Sequence, residues 1–136
     1  PAAGAAQGGY VLADTTGKVD PDVILLATGS EVQIAVAAHE QLTSAGIRSR
    51  VVSLPSFELF DQQLAAYRDE VLPPAVTARV AVEAGVRQCW DKYLGLSGAF
   101  IGLDTYGASA PYWEIYQHRG ITPEAVVAAA KEQLAR

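Results

Sequence analysis

The polar residues able to do chemistry in this chain fall just after short apolar runs. Thr28-Gly29-Ser30-Glu31 follows Val23–Ala27, Pro55-Ser56 follows Arg50–Leu54, and Asp104-Thr105-Tyr106-Gly107 follows Ala99–Leu103. The run Arg79–Glu83 ends in Glu83-Ala84-Gly85. If these runs are parallel strands, their carboxyl ends line one edge of a sheet, where open α/β folds collect ligands. Gly29, Ser30, Glu31, Ser56, Glu83, Asp104 and Tyr106 are therefore the candidate residues for an anion site or an interface edge.

Each candidate has a bland reading beside the chemical one. Backbone N–H groups at the Gly29-Ser30 turn would attract an anion. Neither G-x-G-x-x-G nor G-x-x-x-x-G-K-[ST] occurs, and Glu31 puts a negative charge where a phosphate would sit. A capped helix start is favoured, with Ser30 as cap and Gln33 completing a capping box. Glu83 is a single carboxylate with no visible partner, so a structural role is favoured over general acid or base work. His39 belongs to an apolar helix face, and His118 stands near a helix end, where a cation suits the dipole. Cys89, the single cysteine, reads as a packed thiol beside Val86 and Trp90. The histidines and the cysteine lack metal-ligand spacing. The aromatics Trp90, Tyr93, Tyr106, Tyr112, Trp113 and Tyr116 are divided between core and contact surface. No catalytic, cofactor-binding or metal-ligating residue is assigned.

The elements that must position this edge are legible as alternating runs. Val23–Ala27 shows no polar alternation, which predicts a parallel strand buried on both faces. A helix follows, with Val32, Ala35, Val36, His39 and Leu42 on one face and Gly46 as its stop. Strands are predicted at Arg50–Leu54, Arg79–Glu83 and Ala99–Leu103, with Gly9–Leu12 as an edge strand. Helices are predicted at Asp61–Glu70, over "VRQCWDKYLG", from Pro111 to His118, and from Thr122 onward. In the last of these, Val126, Val127, Ala130 and Leu134 should face inward. The expected fold is an open three-layer αβα sandwich. Its sheet has five mostly parallel strands, with one edge strand free to run antiparallel.

Composition sets the outer limits. The chain has 136 residues, half of them apolar, which suits one soluble globular domain. Fifteen acidic against ten basic residues give a net charge of −5, a balance that opposes nucleic acid and anionic membrane. No apolar run approaches a membrane span, and no leader pattern is visible, so a cytoplasmic location is expected. Residues 1–8 read as a linker and 9–136 as the domain. The lack of any methionine suggests that Pro1 begins an excised piece of a longer chain.

Several blocks, taken in order, resemble the C-terminal domain of transketolase. They are "GGYVL" (8–12), "ATGSEV" (27–32), "RVVSLPS" (50–56), "YRDEVLP" (67–73), "ARVAVEAG" (78–85), "YGASAP" (106–111) and "GITPEAV" (120–126). The run "VLPPAVTARVAVEAG" is close to bacterial transketolases. Departures are mild: Gln7 stands where an arginine is common, and "GIT" replaces "GFT". The resemblance implies a parent enzyme that moves a two-carbon ketol unit between sugar phosphates in the pentose phosphate pathway. It implies thiamine diphosphate and magnesium in that enzyme's other domains, and a homodimer. The G-D-G metal motif is missing here, so this domain is expected to be structural, dimer-supporting and inactive alone. Two rival readings are an anion- or nucleotide-binding regulatory module and the matching domain of another thiamine enzyme.

Overall fold

The computed structural model of the chain describes residues 7–15, 20–83, 90–95, 97–102 and 121–135. Among the described residues, five strands form one sheet: β1 (Tyr10–Asp14), β2 (Val23–Ala27), β3 (Ser49–Ser53), β4 (Arg79–Val82) and β5 (Ala99–Ile101). Their order is β1-β3-β2-β4-β5. β2 runs parallel to β3 on one side and to β4 on the other, with Leu25 opposite Val51 and Val80. β5 is parallel to β4. β1 is the antiparallel edge, pairing Tyr10 with Ser53 and Asp14 with Arg50 across an irregularity between Val11 and Ala13. The mostly parallel sheet with one antiparallel edge is the fold expected from the sequence.

β2 explains the layers. All five of its residues are buried, because alternate side chains serve opposite faces. Val23, Leu25 and Ala27 join a core with Ala35, Ala38, Leu42, Val126 and Ala130. Ile24 and Leu26 join a second core with Phe60, Val71, Trp90 and Leu94. The first face is covered by α1 (Val32–Ser44) and α5 (Pro123–Leu134). The second carries α2 (Phe57–Asp61), α3 (Ala65–Val71) and the short α4 (Asp91–Leu94).

Local details depart from expectation at two corners. The corner after β2 is a 3-10 turn, Gly29–Glu31, and α1 begins at Val32 without a side-chain cap. The N-cap position of α1 falls on Glu31 rather than on the expected Ser30, and the Ser30 hydroxyl donates to Glu31. The helix expected at Asp61–Glu70 is two helices. Ser56 caps α2 by accepting from the Leu59 N–H at 3.2 Å, and Leu64 is extended (φ −60°, ψ 147°), which ends the first helix and starts the second. Side chains take over the freed carbonyls: Gln63 Nε2 donates to Leu59 and Arg68 Nε to Gln63.

The buried face of α1 is Ala35, Ala38 and Leu42, with Val36 and His39 half-buried. In α5, Val126, Ala130 and Gln133 are buried while Leu134 is 37% exposed. One residue turns the helix by about 100°, which carries Leu134 off the face that Gln133 occupies. The predicted Thr122 cap forms, accepting from the Ala125 N–H at 3.1 Å with Pro123 in the first turn. The helix predicted from Pro111 to His118 lies outside the described residues, as does the first part of the one over "VRQCWDKYLG".

At the other end of the sheet edge, Gly8 (φ +81°) is pressed onto α2. A Cβ there would stand 2.4 Å from both Phe60 N and Ser56 O. The Ser56 N–H donates to the Gly8 carbonyl at 3.0 Å, tying the entering chain to the cap of α2.

Candidate functional site

The carboxyl edge of the sheet is built as its topology requires. β2 and β4 are hydrogen-bonded neighbours, and the chain leaves β2 toward β3 on one side and reaches β4 on the other. Their carboxyl ends therefore form the point where the winding of the sheet reverses. Gly29–Glu31 follows β2 and Glu83 follows β4, so these residues share that point, while Ser56 lies beyond β3. Asp104 and Tyr106 lie outside the described residues, as do His118 and Cys89.

The polar groups described on this edge serve the fold. Gly29 has φ +62° with open space around it, so the turn conformation itself calls for glycine. Ser30 donates to Glu31 Oε2 at 2.6 Å, and Glu31 is 5% exposed. A buried carboxylate in the first turn works against a second anion there. Ser56 holds the start of α2. Glu83 Oε2 accepts from the indole N–H of Trp90 at 3.0 Å. Trp90 is fully buried and packs edge-on to Phe57, with ring centroids 4.8 Å apart. Glu83 thus satisfies a buried indole that would otherwise lack an acceptor.

His39 is equally committed. Its Nδ1 lies 2.6 Å from Ser49 Oγ, between α1 and β3. Burial holds its imidazole below the ordinary value of 6.5, against the opposing pull of Asp14 and Glu40. Among the described residues, no group of three or more His, Cys, Asp or Glu side chains is placed to hold a metal ion. No described helix is long and apolar enough to cross a membrane.

A second constellation on the α2–α3–α4 face was not anticipated from the sequence. Tyr93 donates its hydroxyl to Asp61 Oδ1 at 2.8 Å, and Lys92 donates to Asp61 Oδ2. Burial favours the neutral Asp61, but the bonds from Lys92 and Tyr93 together hold its carboxyl below 3.8. Burial, then the Asp61 bond, pushes the Tyr93 phenol well above its ordinary range.

Beside them, Arg79 turns its guanidinium onto four main-chain carbonyls: Val76 at 2.9 Å, Tyr93 at 2.6 Å, Pro73 at 2.9 Å and Leu72 at 3.4 Å. These groups line a cleft of about 480 Å³ with Arg68, Leu72, Val76, Thr77 and Leu94. The sequence offered one signal: an arginine opening an apolar strand needs partners at that strand's amino end.

Comparison with known proteins agrees with the fold. Residues 8–122 match the family model for the transketolase-like C-terminal domain. Transketolase 1 of Escherichia coli (strain K12) is 57% identical over 129 residues, covering 95% of this chain and 19% of that protein. The solved transketolase from Leishmania mexicana superposes with a TM-score of 0.89 at 42% identity, covering 98% of this chain and 19% of that one. A split-gene transketolase, described as an inactive β4 tetramer, gives a TM-score of 0.67 at 25% identity and covers 96% and 43% respectively. The chain spans about a fifth of the length of the full-length relatives it matches.

Proposed function

The chain belongs to the transketolase C-terminal domain family, and from that premise we propose that it serves as the non-catalytic C-terminal domain of a transketolase. The parent enzyme transfers a two-carbon ketol unit between sugar phosphates, in the cytoplasm and as a homodimer. Its thiamine diphosphate and magnesium belong to the other domains. The described residues here do not fit that cofactor: a buried carboxylate occupies the Gly29–Glu31 turn, and Glu83 is held by Trp90.

The observation that carries the reading is that commitment of the strand-end edge. Ser30, Ser56 and Glu83 all bond within the fold, as a domain that completes and supports a larger subunit would have them. The inactive split-gene relative, of which this chain covers 43%, is in keeping with a C-terminal part that does not catalyse alone. A nucleotide-binding module on the same edge is disfavoured by the buried charge of Glu31.

The test is direct. The 136-residue chain, given thiamine diphosphate, magnesium, xylulose 5-phosphate and ribose 5-phosphate, is expected to show no turnover. Calorimetric titration with thiamine diphosphate is expected to give no saturable heat. Ketol transfer by this chain alone overturns the proposal.

A further inference from the structure

Arg68, Arg79 and Lys92, three of the ten Lys and Arg residues in a chain of net charge −5, line the cleft between α2, α3, the start of β4 and α4. Their engagements differ. Lys92 is taken by Asp61, and Arg79 by its four carbonyls. Arg68 stands near enough to Asp61 and Tyr93 to influence both. The Asp61 oxygens accept from Tyr93 and Lys92, one each. The Arg68 side chain makes one hydrogen bond, from Nε to the Gln63 carbonyl at 3.2 Å. Its two terminal nitrogens, the flat fork that matches an oxyanion, have no partner among the described residues. The anchored Nε holds that fork at the cleft, so little side-chain entropy remains to be lost on binding.

The cleft is larger than a bare inorganic ion requires and falls within the range of small organic ligand sites, about 300–1,000 Å³. Leu72, Val76 and Leu94 give it an apolar wall, and Thr77 adds a hydroxyl. Arg68, Arg79 and Lys92 against Asp61 and Asp69 leave one net positive charge on the lining. Two cations about one aspartate favour a doubly charged head over a singly charged one.

We propose that this cleft binds a small phosphomonoester, with the phosphate on the terminal nitrogens of Arg68 and the organic body on Leu72, Val76 and Leu94. The site is separate from the strand-end edge, and the ligand has no part in ketol transfer.

The test is an amide-resolved NMR titration of the full chain with phenyl phosphate as probe, and with phenol and benzoate as controls. Phenyl phosphate at millimolar concentration is expected to give saturable shifts at Leu72, Thr77 and Gly95. Phenol should give none that saturate, and benzoate should bind more weakly. Arg68→Gln should weaken phenyl phosphate binding by about tenfold, with Arg68→Lys falling between because it keeps the charge and loses the fork. No saturable shift, shifts confined to Gly29–Glu31, benzoate binding as tightly, or undiminished affinity in the Arg68→Gln chain each overturns the proposal. Should thermal melting show Arg68→Gln unfolded, Arg68→Lys decides: unchanged affinity refutes the fork.

Discussion

At the scale of single residues, two basic side chains act as braces. Arg79 satisfies four carbonyls from the loop before β4 and from α4, with no carboxylate among its partners. Removing it leaves partly buried acceptors without donors. Arg79→Met is expected to cost about 2–3 kcal/mol in urea denaturation. A loss below about 0.5 kcal/mol would show that water replaces the guanidinium.

His39 sits between α1 and β3, with burial the first cause of its lowered pKa. The unfolded chain takes up a proton near pH 6.5 that the folded chain resists. Stability is therefore full above that value and falls as pH drops from it toward the folded pKa. Comparing urea midpoints at pH 7.5 and pH 5.5, His39→Gln should show a smaller drop than the unaltered chain. An equal drop would assign the effect to other groups.

At the scale of elements, the chain uses caps where the sequence was ambiguous. The α2–α3 break rests on Ser56 and on the extended Leu64, and Gly8 is tied to the same corner. Ser56 was a candidate ligand residue on sequence grounds, and its contacts show a helix cap. Ser56→Ala should cost about 1 kcal/mol of stability. It should leave phenyl phosphate binding unchanged, which separates the cap from the proposed cleft. The Thr122-Pro123 start of α5 was legible because both cap and proline lie together in sequence. The corner after β2 was not: a 3-10 turn places Glu31 rather than Ser30 at the start of α1, and the Ser30 hydroxyl donates to the buried Glu31.

At the scale of the whole molecule, the sheet is a partition between two cores. Leu25 and Leu26 are adjacent, both fully buried, and serve opposite faces. Leu25→Ala and Leu26→Ala should each cost about 2–5 kcal/mol, measured by urea denaturation, since each opens a cavity against a different helix layer. Leu64→Ala, at an 80% exposed position, should change stability by less than about 0.5 kcal/mol. Near-equal effects at all three sites would contradict the three-layer arrangement.

The sequence by itself determined the fold class, the parallel central strands and the family. Those features rest on local signals: unbroken apolar runs, glycine stops, and blocks of residues in a set order. It also marked the strand ends as the edge where polar groups gather. Only the tertiary structure decided what those groups do. Glu83 meets Trp90, Ser30 meets Glu31, and Asp61 takes Tyr93 and Lys92. Asp61 and Tyr93 lie 32 residues apart in the chain. Which donor reaches an acceptor across that separation depends on how the helices dock, and no local periodicity records it.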